Sequence, residues 1–271
     1  MESGHPMGGI LNTEILEGDG RKQRETFRAA GPFNHIVLDN FFRSDLAEAL
    51  ADEIEQSAPS WHEYQNAIEI KKTCNSWNAF PANTYRVFSY LVSDPFVNAL
   101  RVLTGEPELV ADMGLHGGGW HRHGAGGKLN THLDYSIHPK TGMQRKLNLI
   151  VYISRDWDPA WGGGLGLWSH DPETGQPRQI EKVVDCTFNR AVLFDTTQNS
   201  WHGLPDPIRC PADRFRASLA VYYMIPTAEG VSPRERALFA PHKEQANDPE
   251  VLELIRKRSS SATAADVYRA Q

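Results

Sequence analysis

The sequence predicts a mainly β fold with flanking helices, and two observations carry that prediction. Between about residues 108 and 226, short runs of β-branched and aromatic residues alternate with clusters of Gly, Pro, Asn and Asp. This pattern is typical of all-β sandwiches and barrels. On either side of this region, apolar residues recur at helical spacing instead. We therefore predict helices that pack as a buttress against a β core, followed by a short helical tail.

The helical segments have recognisable starts and ends. Ser44 is an N-cap residue type in front of an apolar stripe that repeats every four residues. Proline follows Asp94 directly, and Gly105 closes the same run, as expected at the two ends of a helix. The sequence predicts helices over residues 45–56, 84–93, 94–104 and 248–258.

The predicted strands are short and rich in Val, Ile, Leu, Phe and Tyr. Turn-forming residues bound each of them, and no internal repeat or low-complexity tract is present. Regular spacing of such strands favours one closed or layered β core over two small domains. Residues 35–42 are predicted to form a short strand followed by a turn. The other predicted strands cover residues 146–154, 164–168, 178–184, 191–197 and 216–224.

The domain organisation is predicted to be simple. Residues 1–30 are polar and Gly-containing, and we predict a flexible lead-in there. Residues 31–271 are predicted to form a single domain, with its β core at about 108–226 and a C-terminal helical extension at 227–271. A chain of 271 residues can bury a core of this size.

Composition narrows the classes of function. The chain is 40% hydrophobic and 23% charged, as in ordinary globular proteins. Its net charge of −6 argues against a general nucleic-acid binder. No apolar run approaches the ~20 residues that span a bilayer, and the N-terminus lacks a signal-like pattern. Cys74, Cys186 and Cys210 are predicted to be free thiols. We therefore expect a cytoplasmic protein with no membrane partner.

Two separated motifs form a candidate metal site. His132 and Asp134 stand two positions apart in THLDY, and His202 follows far downstream. Side chains at i and i+2 of an extended strand point to the same face, so His132 and Asp134 can bind one ion together. A histidine from a distant strand would complete a two-histidine, one-carboxylate set with open coordination positions. Such a set is typical of non-haem Fe(II) oxygenases.

The run RASLAVYYM carries a candidate anion site. Arg216 and Ser218 share one face of this predicted strand. A guanidinium offers a planar fork of charged donors, and serine adds a hydroxyl, so the pair can hold a carboxylate. A buried arginine without a partner is costly, and an inward Arg216 therefore requires an anion. Arg214 has the same strand parity and stays an alternative.

Four ordered segments resemble one family. HGAGGKLNTHLD (123–134) is similar to the prolyl 4-hydroxylase-type Fe(II)/2-oxoglutarate dioxygenases, with His123 where many members have tyrosine. The same family resemblance extends to VYISRDWDPAWGGGLGLW (151–168), FNRAVLFDTTQNSWHGL (188–204) and RASLAVYY (216–223). The match covers about 120–224, close to half of the chain.

The resemblance implies a fold, cofactors and roles. The fold would be a double-stranded β-helix, or jelly-roll, with N-terminal helices packed on one sheet. The cofactors would be Fe(II) and 2-oxoglutarate, with His132, Asp134 and His202 as iron ligands. Arg216 would pair with the far carboxylate of 2-oxoglutarate, helped by Tyr152 and Ser218. An aspartate ligand favours hydroxylation over the halogenation that relatives with a small residue there perform.

The residues around this site leave roles open. His121 and His123 would share a strand face, which predicts either lining of the active-site mouth or a rival zinc site. Trp201, next to His202, is predicted to touch the substrate.

Substrate identity is not contained in cofactor motifs. We expect a hydroxylase of a small molecule or amino acid that uses O2 and releases succinate and CO2. A prolyl hydroxylase acting on a protein or peptide is the alternative. A cupin-like metal hydrolase or isomerase and a non-catalytic binding jelly-roll are the rivals from other classes. The oligomeric state stays open.

Overall fold

The computed structural model describes residues 9–12, 20–264 and 267. Its helices are α1 (Gly20–Ala29), α2 (Ser44–Gln56), α3 (Ala82–Leu91), α4 (Asp94–Thr104) and α5 (Pro249–Ser259). Its strands are β1 (His35–Leu38), β2 (His62–Gln65), β3 (Glu69–Cys74), β4 (Val110–Ala111), β5 (Gly119–His123), β6 (Lys128–Leu129), β7 (His132–Leu133), β8 (Gln144–Tyr152), β9 (Leu165–His170), β10 (Pro177–Val184), β11 (Ala191–Asp195), β12 (Trp201–Gly203), β13 (Arg216–Ile225) and β14 (Leu238–Phe239).

These strands form two antiparallel sheets. The large sheet has the order β1-β11-β8-β13-β5-β3-β2, with β4 added beside β13 and β6 beside β3. The small sheet has the order β10-β9-β12-β7-β14. Neighbours in space are distant in sequence, as in β11-β8-β13, so the chain crosses repeatedly between the sheets. The predicted jelly-roll with helices on one sheet is confirmed.

Alternation along β8 and β13 divides their side chains between two environments. One face packs in the main hydrophobic core with α2, α3 and α4, and consists of Leu147, Leu149, Val151, Ala217, Leu219, Val221 and Tyr223. The opposite face borders a cavity, through Asn148, Ile150, Arg216, Ser218, Ala220 and Tyr222. Period-two alternation therefore fixes which residues can take part in chemistry and which hold the helices.

Two of the helix-end signals are observed as predicted, but the prediction of Ser44 as an N-cap is wrong: Ser44 is the first residue of α2, and Arg43 holds the N-cap position without a side-chain hydrogen bond. Proline lies in the first turn of α4, and Gly105 ends that helix with a φ of 79°, a left-handed conformation that glycine adopts without strain. The Asp248 side chain accepts hydrogen bonds from the backbone N–H groups of Glu250 and Val251 at the start of α5. Both boundaries are therefore set by local chemistry that the sequence displays.

The prediction of a loose lead-in over residues 1–30 is wrong for the part that the structure describes. Residues 20–29 form α1, which packs on α4 and buries Phe27. Arg24 and Arg28 donate hydrogen bonds to the carbonyl oxygens of Val102 and Thr104 at the end of α4. Cationic side chains at a helix C-terminus are favourable, and this gives a polar segment a reason to be helical. Residues 1–8 and 13–19 of the predicted lead-in lie outside the described residues.

The large sheet also begins earlier than the predicted core at 108–226. Strands β1, β2 and β3 all precede residue 108 and belong to that sheet. The hairpin β2–β3 escaped prediction because its sequences, HEYQ and EIKKTC, lack an apolar face. Its inner face borders a polar cavity rather than a hydrophobic core, so the usual alternation is missing.

Two expectations from composition can be compared with the structure. Cys74, Cys186 and Cys210 are all buried and unpaired, as predicted. Of the helices in the described part of the chain, none combines the length and hydropathy that crossing a bilayer requires.

Candidate active site

A cavity of about 410 Å³ lies between the two sheets. Strands β3, β5, β8 and β13 of the large sheet form one wall, and β7 and β12 of the small sheet form the other. Its volume falls within the range of small-molecule sites. Most of the site residues predicted from the sequence line this cavity, whereas Tyr152 and Trp201 are absent from its lining.

The small sheet brings the three predicted metal ligands together. His132 on β7 and His202 on β12 are direct partners in the ladder between those strands. Asp134 follows β7, and His132 Nε2 lies 3.7 Å from Asp134 Oδ1, while His202 Nε2 lies 3.8 Å from Oδ2. One donor atom from each residue falls within 4.8 Å of the others, and all three residues are buried. No other such group occurs among the described residues.

Backbone carbonyls fix the orientation of both imidazoles. His132 Nδ1 donates to the carbonyl oxygen of Asn130 at 2.9 Å, and His202 Nδ1 donates to that of Ser200 at 2.8 Å. With the proton on Nδ1, each Nε2 carries a lone pair that faces the other ligands. This orientation by backbone acceptors is the usual support for metal-bound histidine. Burial lowers the pKa of His132 to about 3, so the ring stays neutral and able to bind a cation.

The carboxylate of Asp134 is charged in spite of its burial. Burial raises its pKa, but the nearby positive charges, that of Arg145 foremost, outweigh this and hold the pKa below its ordinary value. Arg145 lies 3.5 Å from Asp134 Oδ1, and Oδ2 has no hydrogen-bond partner among the described residues. A buried charged oxygen without a donor is costly. The Nε2 atoms of the two histidines and the orphaned oxygen therefore fit a divalent cation.

Arg145 is a site residue that sequence reasoning missed. Its guanidinium lies between the rings of Tyr135 and Tyr222, 3.4 and 3.3 Å from their centroids, and donates to the carbonyl oxygen of His116. Cation–π contacts of this kind hold a guanidinium in place where water is excluded. Arg145 therefore fixes the position of the Asp134 carboxylate.

The reason it was missed is a β-bulge. Strict alternation along β8 would place Arg145 with Leu147, on the face toward the helices. The ladder between β8 and β13 shifts register here: Tyr223 pairs with Leu147, but Met224 pairs with Arg145. One extra residue, Lys146, is accommodated, and Arg145 turns to the cavity face.

The large sheet carries the candidate anion site. Arg216 is buried, its Nε donates to the carbonyl oxygen of Gly163 at 2.7 Å, and its guanidinium carbon lies 4.8 Å from the centroid of the Tyr152 ring. Ser218 pairs with Tyr152 across the β13–β8 ladder. No carboxylate of the described residues lies within 4.0 Å of Arg216.

A carboxylate ligand fits this arrangement. Burial raises the pKa of Tyr152 to about 12, so the hydroxyl keeps its proton. Its oxygen is buried and has no hydrogen-bond partner among the described residues. A buried cation without a carboxylate partner, next to a buried hydroxyl without a hydrogen-bond partner, favours an anion between them.

Arg214, the alternative to Arg216, is engaged elsewhere. It donates hydrogen bonds to the carbonyl oxygens of Arg155 and Asp156 and lies over the ring of Trp161. It is absent from the cavity lining, whereas Arg216 belongs to it. The geometry therefore favours Arg216 as the candidate anion-binding residue.

The remaining predicted residues separate into two groups. His121 and His123 line the cavity from β5, but the zinc alternative for them finds no third ligand among the described residues. The prediction that Trp201 touches substrate is wrong. Its side chain is buried against Leu133 on the other side of β12, and its Nε1 donates to His170 Nδ1. Neighbours along a strand point to opposite faces, so an inward His202 turns Trp201 away.

Close packing beside His202 yields a first prediction. A Cβ atom on Gly203 would lie 2.8 Å from the carbonyl oxygen of Leu129 and 2.9 Å from that of Asn130. Gly203→Ala is therefore expected to push β12 away from β7, to lower the free energy of unfolding by about 1–3 kcal/mol and to weaken metal binding. Urea unfolding and a Mn(II) titration measure the two effects. Gly124→Ala is the matched control, because no atom lies within 4 Å of its Cβ position; equal behaviour of the two variants would refute the prediction.

Comparison with known proteins gives a consistent family. The model of the 2OG-Fe(II) oxygenase superfamily matches residues 118–224. Among curated proteins, the prolyl 3-hydroxylase OGFOD1 of Mus musculus is 25% identical to this chain over 200 residues. The alignment covers 69% of this chain but only 32% of that protein, so the chain spans about a third of the length of this relative.

Among the solved structures with the same fold, three align with 79%, 96% and 75% of this chain, respectively. A prolyl hydroxylase from Trichoplax adhaerens, in complex with a hypoxia inducible factor oxygen degradation domain peptide, has a TM-score of 0.54, 16% identity and 94% of its own chain covered. A Phytophthora capsici prolyl 4-hydroxylase has a TM-score of 0.52, 18% identity and 79% covered. HygX from Streptomyces hygroscopicus, with nickel, 2-oxoglutarate and hygromycin B bound, has a TM-score of 0.50, 15% identity and 87% covered. At these identities the similarity establishes the jelly-roll fold.

Proposed function

We propose that this chain, whose residues 118–224 match the model of the 2OG-Fe(II) oxygenase superfamily, is a prolyl 4-hydroxylase-like member of it and hydroxylates an unactivated C–H bond of a small molecule or amino acid. It is a 2-oxoglutarate-dependent dioxygenase, and its cofactors are Fe(II) and 2-oxoglutarate. The observation that carries the proposal is the pairing, in one cavity, of a buried His-Asp-His group with a buried arginine that lacks a carboxylate partner.

In the proposed site, His132, Asp134 and His202 hold Fe(II). The Nε2 atoms of the two histidines supply neutral nitrogen ligands, and Asp134 supplies the negative charge, a set that suits Fe(II) and leaves coordination positions open. Arg145 holds the other carboxylate oxygen, at 3.5 Å, and so keeps the Asp134 side chain in one orientation.

The anchor for 2-oxoglutarate in this proposal is on the opposite wall. Arg216 binds a carboxylate of 2-oxoglutarate, and the hydroxyls of Tyr152 and Ser218 are further donors to it. When bound, Fe(II), 2-oxoglutarate and O2 would together supply the oxidant for C–H hydroxylation. 2-Oxoglutarate would be converted to succinate and CO2, with one oxygen atom of O2 entering succinate and the other the substrate, and the iron would be retained. The residues of the chain orient these partners, and the enclosed walls of the cavity exclude water from the reacting atoms.

A small substrate is supported by the form of the cavity. Beyond the candidate ligands, its wall includes polar side chains such as Asn148, Tyr222 and His116, all within about 410 Å³. A concave site of this volume with a few convergent polar groups is typical of sites for small molecules. HygX, a structure of the same fold, holds hygromycin B.

Prolyl hydroxylation of a protein or peptide is the second candidate, and the relatives favour it. The curated relative is named a prolyl 3-hydroxylase, and the Trichoplax adhaerens structure contains a peptide. Both candidates use the same metal and co-substrate residues. They differ only in what the mouth of the cavity admits.

An anaerobic titration tests the cofactor assignment. Adding 2-oxoglutarate to the Fe(II)-loaded protein is expected to produce a weak visible charge-transfer band, because the keto acid binds next to the metal. Absence of the band in fully metallated protein would contradict the proposal and favour a metal hydrolase. Succinate release with O2 is then compared for free amino acids, including proline, and for proline-containing peptides. Stimulation by peptides alone would replace the small-molecule candidate with the prolyl one.

A further inference from the structure

A group of polar side chains next to the proposed co-substrate anchor lies on the inner face of the large sheet. Lys71 and Thr73 extend from β3, and His121 and His123 extend from β5. Thr73 and His121 are direct partners in the ladder between these strands. All four side chains line the same cavity as the candidate metal ligands.

The two imidazoles have buried nitrogens without partners. Nε2 of His121 and Nε2 of His123 are both buried and have no hydrogen-bond partner among the described residues. Burial lowers the pKa of His121 to about 3 and holds that of His123 well below its ordinary value, and the charges of Lys71 and Arg216 act in the same direction. Both rings are therefore neutral near pH 7.

The proton position on His123 follows from its neighbour. His123 Nδ1 lies 3.5 Å from Nη1 of Arg216. A guanidinium can only donate, so Nδ1 is the acceptor, and the single proton of the neutral ring resides on Nε2. His123 thus presents a buried N–H donor to the cavity, and a donor in that position requires an oxygen to receive it.

Lys71 adds a positive charge to these donors. Its side chain is only 13% exposed, and its Nζ lies 3.3 Å from Glu69 Oε2 and 4.9 Å from the centroid of the Tyr64 ring. The other oxygen of Glu69 accepts a hydrogen bond from Arg258. An ammonium has three donor hydrogens, and Glu69 accounts for one of those on Lys71.

We propose that Lys71, Thr73, His121 and His123 form a second oxyanion site, which binds a carboxylate or phosphate group of the primary substrate. The inference rests on the proposed function and narrows its substrate class to anionic small molecules. The buried N–H of His123 and the ammonium of Lys71, which has donor hydrogens beyond its contact with Glu69, suit an oxyanion better than a neutral peptide. Arg216 is reserved for 2-oxoglutarate, so this group serves a different ligand.

Fluorine NMR tests the site without turnover. The protein is loaded with Mn(II) and N-oxalylglycine, a stable analogue of 2-oxoglutarate, and titrated with trifluoroacetate or monofluorophosphate. Binding near Mn(II) is expected to increase the fluorine relaxation rate of at least one probe, and the probe that responds identifies the oxyanion as carboxylate or phosphate. Trifluoroethanol, which carries no charge, is expected to show no saturable effect.

Variants assign any binding to the proposed residues. Lys71→Met is expected to raise the dissociation constant of the responding probe about tenfold, because one charged interaction in a shielded site is lost. Lys72→Met is the matched control, since Lys72 is outside the lining of this cavity and pairs with Glu63 at 2.6 Å. His121→Phe is a second test, because it keeps the Lys71 charge and removes a polar ring. This variant is also expected to bind the probe more weakly than the parent.

The outcomes separate this inference from the function on which it rests. If N-oxalylglycine fails to bind the Mn(II)-loaded protein, both proposals are overturned. If it binds, but neither anion relaxes faster than trifluoroethanol, only the second site is refuted. The same holds if Lys71→Met and His121→Phe, folded with the melting temperature of the parent, bind the anion as the parent does. A change in N-oxalylglycine affinity instead of anion affinity would reassign these residues to the co-substrate.

Discussion

Arg216→Met is expected to raise the dissociation constant for 2-oxoglutarate by about 100-fold or more, because hydrogen bonds to a charged group contribute about 1.5–3 kcal/mol each. The methionine keeps much of the buried volume but removes the cation. Iron binding should persist, since the three candidate ligands lie on the other sheet. Anaerobic titration of the Fe(II)-loaded variant with 2-oxoglutarate, followed by the charge-transfer band, measures the change.

Arg214→Met is the matched control for this experiment. It removes the same charge two residues away, but Arg214 donates to backbone carbonyls outside the cavity. Its affinity for 2-oxoglutarate is therefore expected to equal that of the parent. The reverse pattern, with the larger loss in Arg214→Met, would transfer the co-substrate role to Arg214.

His202→Ala is expected to weaken metal binding by more than about 100-fold, because loss of a direct ligand should exceed the 10–100-fold effect of supporting residues. The variant removes the Nε2 atom that lies 3.8 Å from Asp134 Oδ2 and leaves a two-ligand site. Isothermal titration with Mn(II) measures the affinity, and circular dichroism confirms that the two sheets are retained.

The control for the metal experiment is His170→Ala. His170 is on the neighbouring strand β9, where its Nδ1 accepts a hydrogen bond from Trp201, and it is outside the cavity lining. It should bind Mn(II) with the parent's affinity. Unchanged binding in His202→Ala would show that the ion is held elsewhere, and the assignment of the three ligands would have to be abandoned.

Much of the site could be predicted because strands impose a simple rule. Alternation along β13 places Arg216 and Ser218 on one face and Leu219 and Val221 on the other. The same rule unites His132 with Asp134. Family resemblance then brought His202 to the same pair, which no local pattern could do, because the contact between β7 and β12 joins residues 70 positions apart in the chain.

What could not be predicted depends on departures from regular geometry. The bulge in β8 turns Arg145 toward Asp134, although its sequence neighbours suggest an ordinary strand end. Lys71 escaped notice because EIKKTC has no apolar face to mark it as a strand. Trp201 was placed in the cavity by proximity to His202 in the sequence, yet adjacent residues of a strand are separated by the sheet itself.

The division of labour between the sheets has a mechanical consequence. The candidate ligands belong to the small sheet, while Arg216, Tyr152 and Ser218 belong to the large one. In the proposed site, a co-substrate bound at one end by the metal and at the other by the Arg216 guanidinium would therefore connect the two sheets. Any movement of one sheet relative to the other would change the alignment of the reacting atoms. The helices α2, α3 and α4 pack on the opposite face of the large sheet. They therefore restrict movement of that sheet during the reaction, in addition to stabilising the fold.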